Sequence, residues 1–157
     1  KILDKVIFVP VGNYYSKKNL IDAKHRYNMI KLLCDEKIQV ENIASNSSKN
    51  LYAYDTFGLI YKKYGEENDI YFIMGSDNFE KMPEWKNYSE IIKKYNFIVI
   101  QRNNNKIAEN LQNIKYFEIQ GINDITSTRI RKMILKGENV SEYMNYKVIE
   151  YINKKIS

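Results

Sequence analysis

Ile70-Tyr71-Phe72-Ile73-Met74-Gly75-Ser76-Asp77-Asn78 is the stretch whose reading decides the fold. Five consecutive β-branched, aromatic and other apolar residues predict a strand. An unbroken apolar run is the pattern of a strand in a parallel sheet covered on both faces. The run stops at Gly75, and Gly75 to Asn78 reads as a loop. Glycine there lets backbone approach a ligand closely. Asp77 suits either of two tasks, accepting hydrogen bonds from ligand hydroxyls or capping a helix.

The same signal recurs on both sides. Val6-Ile7-Phe8-Val9 is a short apolar run ended by Pro10. Ile38-Gln39-Val40, Phe97 to Ile100 and Tyr116 to Ile119 complete the strand set. Helical periods fill the intervals. After a possible cap at Asp22, Ala23, Tyr27, Ile30 and Cys34 share a face. Tyr52 to Tyr64 has Tyr52, Thr56, Leu59, Ile60 and Lys63 on one side, and Gly65 stops it. A short helix is expected from about Ser89 to Tyr95, and a final one carries Val148, Tyr151 and Ile152. Strands alternating with helices predict a doubly wound parallel α/β sheet, in one domain spanning 1–157. Ligands bind beyond the carboxyl ends of such strands. The loops there are Pro10 to Lys18, Gly75 to Asn78, Arg102 onward, and Gly121 to Thr128.

Composition narrows the classes. The chain has 157 residues, 44% of them hydrophobic, enough for one domain with a core. No apolar run is long enough to span a bilayer. One cysteine, Cys34, excludes an internal disulfide and suits a reducing compartment, so the cytoplasm is expected. Its setting among Leu32 and Leu33 points to core packing. The net charge of +6 favours acidic partners, phosphorylated small molecules among them. Its lysines are scattered, with no basic helix and no zinc-ligand spacing, which argues against a nucleic-acid binder.

The loop that ends at Thr128 has chemistry of its own. Asp124-Ile125-Thr126-Ser127-Thr128-Arg129-Ile130-Arg131-Lys132-Met133-Ile134-Leu135 reads as a loop turning into a helix, with Ile130, Met133 and Ile134 on one face. Ser127 or Thr128 is the expected N-cap, and Gly137 the expected stop. A helix start leaves N–H groups unpaired and carries partial positive charge. Hydroxyls at that start, with Arg131 one turn in, suit phosphate oxygens. The same residues also fit an ordinary capped surface helix with a basic wet side.

Taken together, the segments resemble the bacterial nicotinate-nucleotide adenylyltransferases of the nucleotidylyltransferase superfamily. They are VIFVPVGNYYSK (Val6 to Lys17), HRYNM (from His25), YAYDT (from Tyr52), FIMGSDNFEKMPEW (Phe72 to Trp85), FIVIQR (Phe97 to Arg102) and DITSTRIR (Asp124 to Arg131), in the family's order. The similarity covers nearly the whole chain. It implies a Rossmann-like fold and adenylyl transfer from ATP to nicotinic acid mononucleotide, giving deamido-NAD and pyrophosphate in NAD biosynthesis. By the same resemblance Thr126, Ser127, Thr128 and Arg131 hold ATP phosphates, and Asp77 and Arg102 lie near the adenosine. Gly75, Ser76, Trp85 and the Tyr52-Ala53 turn surround the pyridine ring, and Lys17 faces phosphate. Arg131 and Lys17 are the expected catalytic cations, and Mg²⁺ is the expected companion of ATP. A homo-oligomer is compatible with this reading.

Three departures accompany the resemblance. The family's opening Gly-rich turn and H-x-G-H motif do not occur in these residues, and His25, the sole histidine, lies in a later helix where a structural role is expected. Ser16 stands where a histidine usually precedes the lysine, and Ala53 where threonine usually follows the tyrosine. The family's opening strand is central to its sheet. Each buried unpaired backbone group costs roughly 1–3 kcal/mol, against a total stability of about 5–15 kcal/mol. The expectation is therefore roughly 30 further residues before Lys1, about one βα unit, carrying the histidines. Nicotinamide mononucleotide or phosphopantetheine as acceptor, and a non-catalytic nucleotide-binding module, are the alternatives.

Overall fold

The computed structural model describes residues 3–14, 20–65, 67–101, 114–118 and 126–156. In chain order the elements are β1 (Val6–Phe8), α1 (Ala23–Lys31), β2 (Ile38–Val40), α2 (Ala53–Tyr64), β3 (Tyr71–Gly75), α3 (Ser76–Glu80), a 3-10 turn (Met82–Glu84), α4 (Tyr88–Lys94), β4 (Asn96–Gln101), β5 (Ile114–Glu118), α5 (Ser127–Leu135) and α6 (Tyr146–Lys155). Every strand pairing among them is parallel. The chain divides into two compact units, Lys1–Ser48 with Ile122–Ser157, and Lys49–Gly121.

In the 49–121 unit, β3, β4 and β5 form one sheet in that order. Phe72 pairs with Phe97 and Met74 with Val99 across the first ladder. Phe97, Val99, Ile91, Met82 and Tyr95 are essentially sealed from solvent. Phe57 of α2 stacks on Phe72 at 3.7 Å between ring centroids, and Tyr95 meets both rings edge-on. The edge-on contacts of Tyr95 suit the ring quadrupoles, and each buried large side chain contributes about 1.5–3 kcal/mol. Two expectations change here. The inward face of α2 runs through Phe57 and Ile60, while Tyr52, Leu59 and Lys63 are exposed. Both faces fit a helical period, and the aromatic partner on β3 decides between them. Gly75 to Asn78 is also not a loop: Gly75 is the N-cap of α3, so Asp77 sits in the first turn rather than capping it.

In the other unit, β1 and β2 pair in register from Val6 with Ile38 to Phe8 with Val40. β1 is not the buried strand its run of apolar residues suggests, since Phe8 keeps 47% of its surface exposed. Among the described residues β1 pairs with β2 alone. Asp22 caps α1 as expected, accepting from the Lys24 N–H at 2.8 Å. Cys34 lies past the end of α1 and is half-buried, with its Sγ 3.5 Å from the Ile30 carbonyl. Tyr151 of α6 reaches α1: its hydroxyl lies 2.9 Å from His25 Nδ1 and accepts from Asn28 Nδ2 at 3.0 Å. That gives His25 the structural role expected of it. No described helix is long and apolar enough to cross a membrane.

Candidate active site

The start of α5 is an open turn rich in hydroxyls. Thr126 is the N-cap, one residue earlier than expected, and its hydroxyl accepts from the Arg129 N–H at 3.2 Å. Three hydroxyl residues in a row make the cap ambiguous in sequence. With Thr126 capping, the side chains of Ser127 and Thr128 are released from that task. Arg131 donates through a terminal guanidinium nitrogen to the Thr128 hydroxyl at 3.3 Å. Thr126, Ser127, Thr128, Arg129 and Arg131 are all exposed. A cation and hydroxyls thus meet where the helix dipole is positive, a donor set for phosphate oxygens rather than for a bare metal ion.

The far end of α5 holds its register. Gly137 takes φ +70, the Glu138 N–H bonds the Met133 carbonyl at 2.9 Å, and the Gly137 N–H bonds that of Ile134 at 3.0 Å. This Schellman closure needs the left-handed conformation that glycine adopts without strain. It stops the helix where expected.

The loop that follows β1 is tied to α1. The Asn13 side chain accepts from the Ala23 N–H at 2.6 Å and donates to Asp22 at 2.8 Å. The Lys24 N–H, then Asn13, stabilise the Asp22 carboxylate and lower its pKa. The Arg26 guanidinium donates to the carbonyls of both Val11 and Ile21. Burial pushes the pKa of Arg26 down from its ordinary value. A side chain on Gly12 would collide with the Ala44 carbonyl, so the loop and the segment after β2 touch at backbone. Apart from the Asp22 cap, these ties have no signal in the local sequence; Arg26 enters there only through the HRYNM match. Lys17 and Ser16, Arg102, and Gly121 to Ile125 lie outside the described residues.

The residues expected around the pyridine ring all belong to the 49–121 unit. Gly75 ends β3 and Ser76 begins α3, with Ser76 1% exposed. Asp77 is exposed beside it. Trp85 is half-buried and packs against the core cluster that contains Phe79, Met82 and Ile91, with part of its surface left open. Its backbone is fixed at both ends, by its own N–H to Met82 at 2.9 Å and by the Tyr88 N–H on its carbonyl at 3.1 Å. Tyr52 is the N-cap of α2, half its surface exposed, and the Asp55 carboxylate accepts its N–H at 3.2 Å. Lys86 Nζ lies 5.0 Å from the centre of the Tyr52 ring, a residue the motif matches passed over. The Tyr54 hydroxyl donates to Glu90 at 2.8 Å, linking α2 to α4, and that carboxylate raises the Tyr54 pKa.

Comparison with known proteins agrees with these motifs. The family model described as cytidylyltransferase-like matches residues 1–133. A probable nicotinate-nucleotide adenylyltransferase of Acholeplasma laidlawii is 34% identical over 94% of this chain and 78% of its own length. One from Fusobacterium nucleatum is 31% identical over 97% and 83%. The solved Plasmodium falciparum nicotinic acid mononucleotide adenylyltransferase, complexed with NaAD, superposes with a TM-score of 0.77 over 97% of this chain and 81% of its own. At 22% identity that likeness shows the α/β fold. The chain belongs to the cytidylyltransferase-like family, and within it to the nicotinate-nucleotide adenylyltransferases.

Proposed function

We propose that this protein joins the adenylyl group of ATP to nicotinic acid mononucleotide, releasing pyrophosphate and giving deamido-NAD. The observation that carries the proposal is the start of α5, where Thr126, Ser127, Thr128 and Arg131 stand exposed around a helix terminus. The names of the relatives supply the acceptor.

The chemistry needs no protein nucleophile. A phosphate oxygen of the mononucleotide attacks the α-phosphorus of ATP in line. The new P–O bond forms as the bond to the bridging oxygen of pyrophosphate breaks, and the leaving pyrophosphate carries away the electron pair. Catalysis then rests on alignment, and on cations and N–H groups that hold the charge moving onto pyrophosphate. Arg131 and the first turn of α5 take the triphosphate, with Lys17 as a second cation. Asp77 and Arg102 are assigned to the adenosine. Gly75, Ser76, Trp85, Tyr52 and Ala53 are assigned to the pyridine. Mg²⁺ would ride on the triphosphate, held by phosphate oxygens and water, because the α5 start offers hydroxyls and a guanidinium. When bound it neutralises phosphate charge. The cytoplasm is the proposed compartment, in keeping with a single cysteine.

A second acceptor, nicotinamide mononucleotide, stays in view because Ala53 and Ser16 replace residues usual in the family. Incubating the full-length protein with ATP and each mononucleotide, and following pyrophosphate with the dinucleotide product, separates the readings. The proposal expects faster turnover of the acid. Equal or faster use of the amide, or ATP bound without pyrophosphate release, overturns it.

A further inference from the structure

We propose that Lys86 sets the acceptor preference, favouring the acid mononucleotide over the amide through its charge. The inference rests on the adenylyl-transfer reading, and on a contact within the 49–121 unit that the motif matches did not contain. Lys86 directly follows Trp85 and precedes Asn87, which takes the left-handed conformation at φ 60. The Tyr88 N–H closes back on the Trp85 carbonyl at 3.1 Å, so Lys86 occupies the corner of a hydrogen-bonded turn. Its backbone is thereby fixed while its side chain is exposed. That side chain lies over the Tyr52 ring, with Nζ 5.0 Å from the ring centre. Tyr52 in turn caps α2 immediately before Ala53. Lys86 thus follows Trp85 in the chain and lays its cation on Tyr52, both of them residues assigned to the pyridine.

The two candidate acceptors differ at one group on that ring. The acid carries a carboxylate and the amide a neutral carboxamide; ribose, phosphate and ring charge are the same. Hydrogen-bond donors aimed at both carboxylate oxygens already disfavour the amide, whose NH2 would face a donor; a cation adds a preference that depends on charge. A fixed positive charge acts on the acid alone. Among the described residues Lys86 forms no ion pair, so its charge is not already neutralised by a carboxylate. A cation over an exposed aromatic face is held weakly enough to turn toward an incoming anion.

The test compares kcat/KM for both mononucleotides in the full-length wild type, Lys86→Gln and Lys86→Arg, at low and high salt. Lys86→Gln should raise KM for the acid about tenfold, equivalent to roughly 1.4 kcal/mol. It should leave kcat for the acid and KM for the amide near wild type. Lys86→Arg should keep the acid preference. The wild-type preference should shrink with added salt, as screening at about 10 Å and less takes hold near 0.1 M. An unchanged acid-to-amide ratio in Lys86→Gln, with the wild type still using the acid, overturns the role of Lys86 and leaves the reaction standing. Equal losses for both acceptors overturn it too, as a general effect on binding. A wild type that releases no pyrophosphate with the acid overturns both.

Discussion

Helices α2 and α5 both begin where a ligand is expected, and they are held in opposite ways. α2 lays Phe57 on Phe72 and buries Ile60, inside an aromatic cluster whose centre is sealed. α5 has no buried residue, and its first turn, Thr126 to Arg129, faces solvent. Side chains at the start of α2 stand on a packed platform, and truncating that platform disturbs fold and site together. Side chains at the start of α5 contribute little to packing, so their worth shows when phosphate is present. Stability and function are therefore separable at α5 and coupled at α2.

The largest effect is expected in the platform. Phe97→Ala removes a ring with 0% exposure and should cost about 3–5 kcal/mol in urea unfolding. A loss below about 1 kcal/mol would mean that the aromatic cluster does not hold the 49–121 unit. Next comes Arg131→Ala. It should lower kcat/KM with ATP about a hundredfold or more, the scale for losing one donor to developing charge. Its unfolding free energy should stay within about 0.5 kcal/mol of wild type, as for other exposed sites. Full turnover in this variant would remove Arg131 from the site, and a large loss of stability would erase the contrast between the helices.

Two smaller effects locate the support of the unit that carries α5. Tyr151→Phe deletes the hydroxyl shared by His25 and Asn28, leaving both part-buried groups short of a partner. The expected cost is about 1–3 kcal/mol with turnover per folded molecule unchanged. No change in stability would show that α6 is not held to α1 through this hydroxyl. Asp22→Asn should act through pH. The folded-state pKa of Asp22 is lowered, so its contribution is present above the unfolded value of about 3.9 and is lost as pH falls through the folded value. Wild type should exceed the variant in stability near neutrality, with the difference vanishing in acid. A difference independent of pH would contradict that assignment.

Strands β3 and β4 were legible because apolar runs bounded by turn residues have few other readings. α3 was not, because five residues beginning Ser-Asp-Asn carry loop chemistry, and the helix forms where Phe79 drops into the core. The face of α2 keeps Ile60 from the expected set but turns Phe57 inward in place of Leu59 and Lys63, because the period fits two faces and the choice depends on Phe72, a residue in another element. The site divides in the same way. That Thr126, Ser127, Thr128 and Arg131 gather at a helix start was legible from local sequence, since capping and the dipole are local effects. Lys86 over Tyr52, and Arg26 across Val11 and Ile21, join residues distant in the chain, and composition or period has no access to such contacts.

The most direct test is a crystal structure of the full-length protein with a non-hydrolysable ATP analogue. The account predicts the β- and γ-phosphates on the first turn of α5, within hydrogen-bond distance of the hydroxyls at Thr126 to Thr128 and of the Arg131 guanidinium. Phosphates seated elsewhere, with that turn left to solvent, would contradict it.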